Sequence, residues 1–429
     1  MNKEIIRDEQ LGEQYSVIHH KSGLDILVWE MEGYRTTSAM FATKYGSFNN
    51  IFKTAGQKEY TTVPMGIAHF LEHKLFENED CTAFALFART GASANAYTTF
   101  DHTAYYFNCS QNWEQSLEIL LDFVQKPYFT QETIDKELGI IGQEIRMGLD
   151  SPDRKCFYDL LKALYSEHPI KIDIVGTEES IAQITPELLY ECYNNFYDLH
   201  NMFLAVAGNV DEDKVIEIAD RLLRDCEDKQ VETFIPNEPR EVCMERIESE
   251  FEVGLPIFNI GFKALPLSGE ERLKAGVTSA VMLELLSGTM SPLYKELLDL
   301  ELINSTFCYD LMLKDGIFFL SFVGESEEPD RVREYIVREI ERVKEEGFEQ
   351  KRFDIVRKSI YGQLIREFTN PERVCADFLA SSALDGVDSF AQMRAFRALT
   401  AEDCRKALAD YLDPRYSAIS IVRPKTRKE

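Results

Sequence analysis

Apolar residues along this chain fall into short blocks of two kinds, and their spacing predicts strands alternating with helices. Runs at 24–29, 38–43 and 202–208 are rich in Leu, Ile, Val, Ala and Phe over short lengths, as buried strands are. The stretch 93–107 predicts a pair of strands, with two-residue alternation visible in Thr103-Ala104-Tyr105-Tyr106-Phe107. Helical patterns occupy 113–123, 131–148, 186–196 and 211–223. A polar stretch at 228–240, containing Pro236 and Pro239, reads as a linker. Beyond it the plan starts again, with strands at 258–262, 317–322 and 417–422 and helices at 272–286, 331–345, 350–367 and 371–384.

The restart is a repeat. At an offset of 219, Phe129 matches Phe348, Gln131 matches Gln350, Asp135 matches Asp354, Ile141 matches Ile360 and Pro152 matches Pro371. A period this long means a duplicated α/β unit and not a solenoid. A chain of 429 residues also exceeds one core and suits two domains. The expected fold is therefore α+β: two homologous α/β domains, 1–232 and 233–429, each a mostly antiparallel sheet flanked by helices. The halves differ in chemistry. Glu137 and Glu144 face Val356 and Gln363 at that offset, and all seven histidines, at 19, 20, 69, 73, 102, 168 and 200, lie in the first half. Catalysis is expected in 1–232, and the second domain is expected to be non-catalytic.

The candidate chemistry centres on His69-Phe70-Leu71-Glu72-His73. Histidines four apart share one helix face, and a catalytic zinc takes three protein ligands plus an open position. The order H-x-x-E-H inverts the commoner H-E-x-x-H zinc peptidase motif and puts Glu72 beside the second histidine as a base. A third ligand must come from another element. Glu137 and Glu144, seven residues apart, project from one face of the helix at 131–148. His102, just past the second strand pair's turn, reads as a loop histidine.

With both motifs in view, the chain resembles the pitrilysin/insulinase family of zinc metallopeptidases, which includes the mitochondrial processing peptidase. Residues 66–76 resemble the family's catalytic helix, and Gly91-Ala92-Ser93-Ala94-Asn95-Ala96-Tyr97-Thr98-Thr99 is similar to its substrate-binding strand. The resemblance implies zinc ligated by His69, His73 and Glu144, with Glu72 as catalytic base and Glu137 as a supporting carboxylate. It implies peptide substrate pairing along Ala94, Asn95, Ala96, Tyr97 and Thr98 by β-augmentation. It is closest to bacterial members associated with the 5-aminopentanol modification of translation elongation factor P. Self-sufficient members carry a substrate-gripping Arg and Tyr in the C-terminal half, where this chain has Leu298 and Asn304. The resemblance then implies half of a clamshell, the catalytic subunit of a two-chain processing peptidase. Its partner would be a homologous chain lacking the zinc motif, with a homodimer as the competing arrangement. A non-catalytic assembly subunit and a metal-dependent amide hydrolase in protein modification remain as alternatives.

Composition narrows the setting. A net charge of −27 argues against a nucleic-acid partner. No apolar run approaches the 18 or so residues that span a bilayer, so no membrane partner is expected. Nine cysteines without a C-x-x-C pair, and a charged start lacking a signal-peptide core, suit a reduced cytoplasmic protein.

Overall fold

The computed structural model of the chain describes residues 2–79 and 81–425. It forms two compact units. One gathers the residues up to 145 with 172–235 and 365–390; the other gathers 146–171, 236–364 and the remainder from 391. The main junction lies between 235 and 236. Two helical segments are exchanged across it: 146–171 joins the second unit and 365–390 the first.

The first unit is built on a seven-stranded sheet. Its spatial order is Asn2–Asp8, Glu13–His19, Asp25–Glu30, Met202–Gly208, Thr37–Thr43, Thr103–Cys109 and Ser93–Thr98. Asp25–Glu30 pairs in parallel with Met202–Gly208, and the other neighbours are antiparallel. The two central strands, Thr37–Thr43 and Met202–Gly208, are buried at every residue, which explains their continuous apolar sequences. The expected linker is partly ordered, since Glu232–Thr233 pairs with Ile51–Lys53 in a small three-stranded sheet.

The second unit repeats the order of five of these seven strands. Its order is Arg246–Phe251, Ser417–Pro424, Ile257–Lys263, Ile317–Glu325 and Cys308–Lys314, again with one parallel pair followed by antiparallel ones. The five strands match the first sheet from Asp25–Glu30 to Ser93–Thr98. The α+β expectation of two duplicated, mostly antiparallel sheets flanked by helices describes the protein.

Each exchanged segment covers the sheet of its own unit through equivalent contacts. Cys156, on the helix Pro152–Leu164, points its thiol at the carbonyls of Ile257 and Ser420. Cys375, at the repeat position, points its thiol at those of Ser38 and Ala205. In the first unit the segment 365–390 is also held by aromatic packing: Trp29 lies 5.3 Å from Phe368 and 5.2 Å from Phe390, with Tyr15 stacked on Trp29. Burying such rings is among the larger contributions to a core. In the second, a Cβ on Gly261 would come within 3.0 Å of the Leu160 and Leu164 methyls, so that glycine allows the helix to approach closely. Among the described residues no helix is long and apolar enough to cross a membrane.

Candidate metal centre

The motif helix, Ile67–Leu75, begins where the backbone leaves no room for a side chain. Gly66 has φ 88°, and a Cβ there would sit 2.5 Å from the Val175 carbonyl oxygen. Gly176 is its counterpart, with φ +75° and the Met65 carbonyl oxygen 2.6 Å from where its Cβ would be. Ser180 donates to that same Met65 carbonyl at 2.8 Å, which fixes the entry to the helix. Phe70, Leu71 and Leu75 are fully buried in the first unit's core, so the helix is locked by its apolar face. His69 and His73 then sit one turn apart, their rings 4.6 Å centroid to centroid.

The second helix, Gln131–Leu149, is anchored by Ile134, Ile141 and Ile145, and presents Glu137 and Glu144 along one face. Glu144 places Oε1 3.6 Å from His69 Nε2 and Oε2 3.8 Å from His73 Nε2. Glu137 is buried and its Oε1 lies 2.9 Å from His73 Nδ1. Thus one carboxylate faces the ring nitrogens that point inward, and the other holds the back of a ring. Burial opposes a charge on His73, but the Glu137 hydrogen bond and the surrounding carboxylates outweigh it and raise its pKa.

Glu72 sits on the same helix at 8% exposure, and Thr98 donates its hydroxyl to Glu72 Oε2 at 2.6 Å. Burial raises the Glu72 carboxyl above its usual range, against the Thr98 hydrogen bond and the neighbouring His73, which pull it down. Thr98 belongs to Ser93–Thr98, the last strand of the seven-stranded sheet, paired only through Thr103–Cys109 among the described residues. Its outer edge is therefore open to a further strand. Alternation puts Ala94, Ala96 and Thr98 on one face and Asn95 and Tyr97 on the other. Tyr97 packs against Tyr106 and His102 and reaches Met40, and Asn95 caps its own neighbour's amide. These two side chains are not brought to the face that carries Thr98. His102 stays in the hairpin turn, where its Nδ1 lies 2.7 Å from Asp101 and 2.9 Å from Thr99.

Nitrogen and oxygen ligands of a tetrahedral zinc, with bonds near 2.0–2.1 Å, lie roughly 3.4 Å apart. His69, His73 and Glu144 each offer an atom in a cluster no more than 4.8 Å across, with separations of 3.6 and 3.8 Å to the carboxylate. Two imidazoles, one carboxylate and a partly exposed side fit a zinc ion that keeps one position open. The sequence reading overlooked two supports of this arrangement. Thr98, foreseen as a substrate contact, holds Glu72. Lys74, fully buried, pairs with Glu77 and donates to the Thr133 carbonyl at 3.3 Å, tying the motif helix to the start of the glutamate helix. The sequence shows a lysine immediately after the second histidine but not its burial, and it is the burial that makes the amine need partners.

The second unit has a different surface at the repeat positions. Val356 and Gln363 line a cavity of about 360 Å³ together with Glu284, Tyr309 and Arg352. Leu298 is exposed, and Asn304 donates to Glu325 at 2.7 Å.

Comparison with known proteins gives the family. The model described as insulinase (peptidase family M16) matches residues 54–178, and that described as the peptidase M16 inactive domain matches 183–360. A Bacillus subtilis (strain 168) protein named uncharacterized zinc protease YmfH is 38% identical over 98% of this chain and 99% of its own. The crystal structure of an M16-like peptidase from Alicyclobacillus acidocaldarius is 33% identical, covers 96% of this chain and 98% of its own, and superposes with a TM-score of 0.92. A protease from Helicobacter pylori shares the fold at 20% identity and a TM-score of 0.82, covering 96% of this chain and all of its own. Two motifs on two helices, a duplicated sheet and full-length relatives lead to one conclusion: the chain belongs to the insulinase, or M16, peptidase family.

Proposed function

We propose that this chain is a zinc-dependent endopeptidase, with His69, His73 and Glu144 as ligands and Glu72 as general base. The observation that carries the reading is the convergence of those three donors beside a glutamate held by Thr98. When bound, zinc supplies Lewis acidity toward a water molecule and the scissile carbonyl. Glu72 takes a proton from the attacking water and delivers it to the leaving amine as the C–N bond breaks. Its burial favours both tasks, because a carboxyl with a raised pKa gives up a proton less readily to solvent and holds it until the amine departs. Glu137 fixes the His73 tautomer, with Nδ1–H toward the carboxylate and Nε2 left for the metal. An extended peptide pairs with the open edge of Ser93–Thr98, which the face carrying Ala94, Ala96 and Thr98 aligns with Glu72. Asn95 and Tyr97 contribute through their backbone.

Glu72→Gln is expected to keep the metal and abolish peptide cleavage, whereas Glu144→Gln loses about one zinc per chain relative to the wild type. Equal zinc in Glu144→Gln and wild type would remove the ligand assignment.

The reading extends to a two-chain peptidase. With Leu298 and Asn304 at the positions of the gripping Arg and Tyr, the chain alone lacks stabilisation that is worth roughly a hundred-fold in rate. A homologous chain that carries those residues and lacks H-x-x-E-H is the expected partner. Mixing the two should raise peptidase activity sharply, and changing the partner's Tyr should remove the gain. Vigorous cleavage by the highly purified chain alone, lost in Glu72→Gln, would show it to be self-sufficient.

A further inference from the structure

We propose that Asp198, His200 and Cys226 form a second cation site of the zinc class, separate from the His69, His73 and Glu144 cluster. The three side chains come from two distant stretches of the first unit and meet in a small triangle. His200 Nδ1 lies 2.9 Å from Asp198 Oδ1, Cys226 Sγ lies 3.1 Å from the same oxygen, and Cys226 Sγ lies 3.8 Å from His200 Nδ1. Sulfur, nitrogen and oxygen ligands of a tetrahedral zinc are separated by roughly 3.4–3.6 Å. Adjustments of a few tenths of an ångström convert one triangle into the other. Among the described residues these two clusters are the groups of His, Cys, Asp and Glu side chains so arranged.

The surroundings hold the donors in place. Asp198 is 4% exposed, and its carboxylate accepts the backbone N–H of His200 at 3.0 Å and of Lys229 at 2.7 Å. The first bond is to Oδ1, the oxygen that faces the other two donors, and the second holds Oδ2, so the carboxylate is oriented as outer partners orient metal-binding carboxylates. The His200 ring lies directly over Gly23: a Cβ there would stand 2.3 Å from Cδ2 and Nε2. Gly23, at φ +92°, thereby gives the ring a slot that leaves Nδ1 turned toward Asp198 and Cys226. The Ser22 carbonyl lies 3.8 Å from the thiol and is a ready fourth oxygen. His200 is one-third exposed and Cys226 is exposed, so an ion has a route in.

The donor chemistry selects the ion. A thiolate beside an imidazole and a carboxylate favours zinc and its borderline-soft neighbours over magnesium or calcium, which take oxygen shells. On binding, the Cys226 thiol proton, now shared with Asp198, is released to solvent and the sulfur binds as thiolate. The ion would clip three pieces of chain together: the turn at Ser22, the turn ahead of the central strand Met202–Gly208, and the stretch that follows the helix Glu212–Leu222.

Cobalt(II) titration of the full chain tests this, since the first cluster contains no sulfur. A thiolate-to-cobalt charge-transfer band should appear in the wild type and in His69→Ala/His73→Ala, vanish in Cys226→Ser, and weaken in His200→Ala. A measurement on the unmodified protein guards against a misfolded variant. Zinc should slow alkylation of Cys226 by iodoacetamide by on the order of ten-fold, read by mass spectrometry, because the thiolate is then bound. Exposed Cys243 and Cys308 serve as controls that zinc leaves unchanged. No saturable band, a band that survives Cys226→Ser, or alkylation of Cys226 indifferent to zinc would each overturn the site.

Discussion

Glu137 makes no contact with substrate in the proposed mechanism, yet its removal should weaken the metal site by a predictable amount. The residue is 5% exposed, and its carboxylate sits 2.9 Å from His73 Nδ1. Glu137→Ala frees the ring to rotate and to place its proton on either nitrogen. Loss of an outer partner of this kind costs roughly 10–100-fold in metal affinity, or about 1.4–2.7 kcal/mol. Glu137→Gln keeps an oxygen that accepts the Nδ1–H and loses the charge. A charge-assisted hydrogen bond is roughly twice as strong as a neutral one, so the glutamine variant should lose about half that free energy, three- to ten-fold in affinity. Competition with a chromophoric chelator reads the zinc dissociation constant. The titration is best made in a Cys226→Ser background, so that a single cluster responds. The reasoning fails if Glu137→Ala binds zinc as the parent does, or if glutamine proves worse than alanine. Either result would mean that the Glu137 contact does not set the orientation of His73.

Two other expectations follow from particular contacts. Thr98→Val removes the hydroxyl that Glu72 accepts at 2.6 Å; a hydrogen bond to a charged group is worth about 1.5–3 kcal/mol, so kcat should fall about ten- to hundred-fold. Zinc content and KM should stay near wild type and Thr98→Ser should restore the rate; an unchanged kcat would refute the positioning role. In the second unit, burial holds the His168 imidazole down to about 4, and Glu238 is pulled to about 2, against burial, by Lys263 and the amides of Ser166, Glu167 and His168. The unfolded chain therefore protonates His168 first, and stability should fall by about 3 kcal/mol between pH 6.5 and 4 from this residue. The Glu238 contribution, complete above its unfolded value, is lost lower still, as pH drops toward 2. His168→Asn keeps an acceptor for the Ile170 amide and should flatten the upper part of that fall in urea denaturation. An identical slope in wild type and variant would show that His168 does not drive it.

The legible part of the site was the part written in local spacing. His69 and His73 are four apart on one helix and Glu137 and Glu144 seven apart on another, so each pair's common face followed from helical geometry alone. What joins the pairs is tertiary, and there the sequence offered only likeness to known proteins. The Thr98 bond to Glu72 spans 26 residues, and alternation could group Thr98 with Ala94 and Ala96 without saying which face meets the motif helix. The Asp198, His200 and Cys226 cluster has no spacing signature at all, because its thiol arrives from beyond another strand and helix. Some strands were also missed. Arg246–Phe251 alternates between exposed and half-buried residues, but its exposed positions carry Arg and Glu and its inner ones a serine, which masks the period.

The duplication was read from scattered identities at an offset of 219, and the structure shows why so few were needed to preserve a fold. What the halves share is topology and packing: the same order of five strands, the same single parallel pair, and a buried cysteine at 156 and 375 directed at two strand carbonyls in each sheet. Any apolar set of suitable volume satisfies most of those demands, so sequence drifts while the sheet persists. A catalytic site tolerates no such drift. Replacing two carboxylates by Val356 and Gln363 leaves the helix Gln350–Glu367 intact and removes the charge that a metal would require. The second half keeps the scaffold, and at the repeat positions of Glu137 and Glu144 it carries Val356 and Gln363 instead. The exchanged segments 146–171 and 365–390 add a further constraint, since each completes the unit built mainly from the other half of the chain. Neither half cut at the linker would retain its full core, so isolated 1–232 or 233–429 should fold poorly even though each carries a whole sheet.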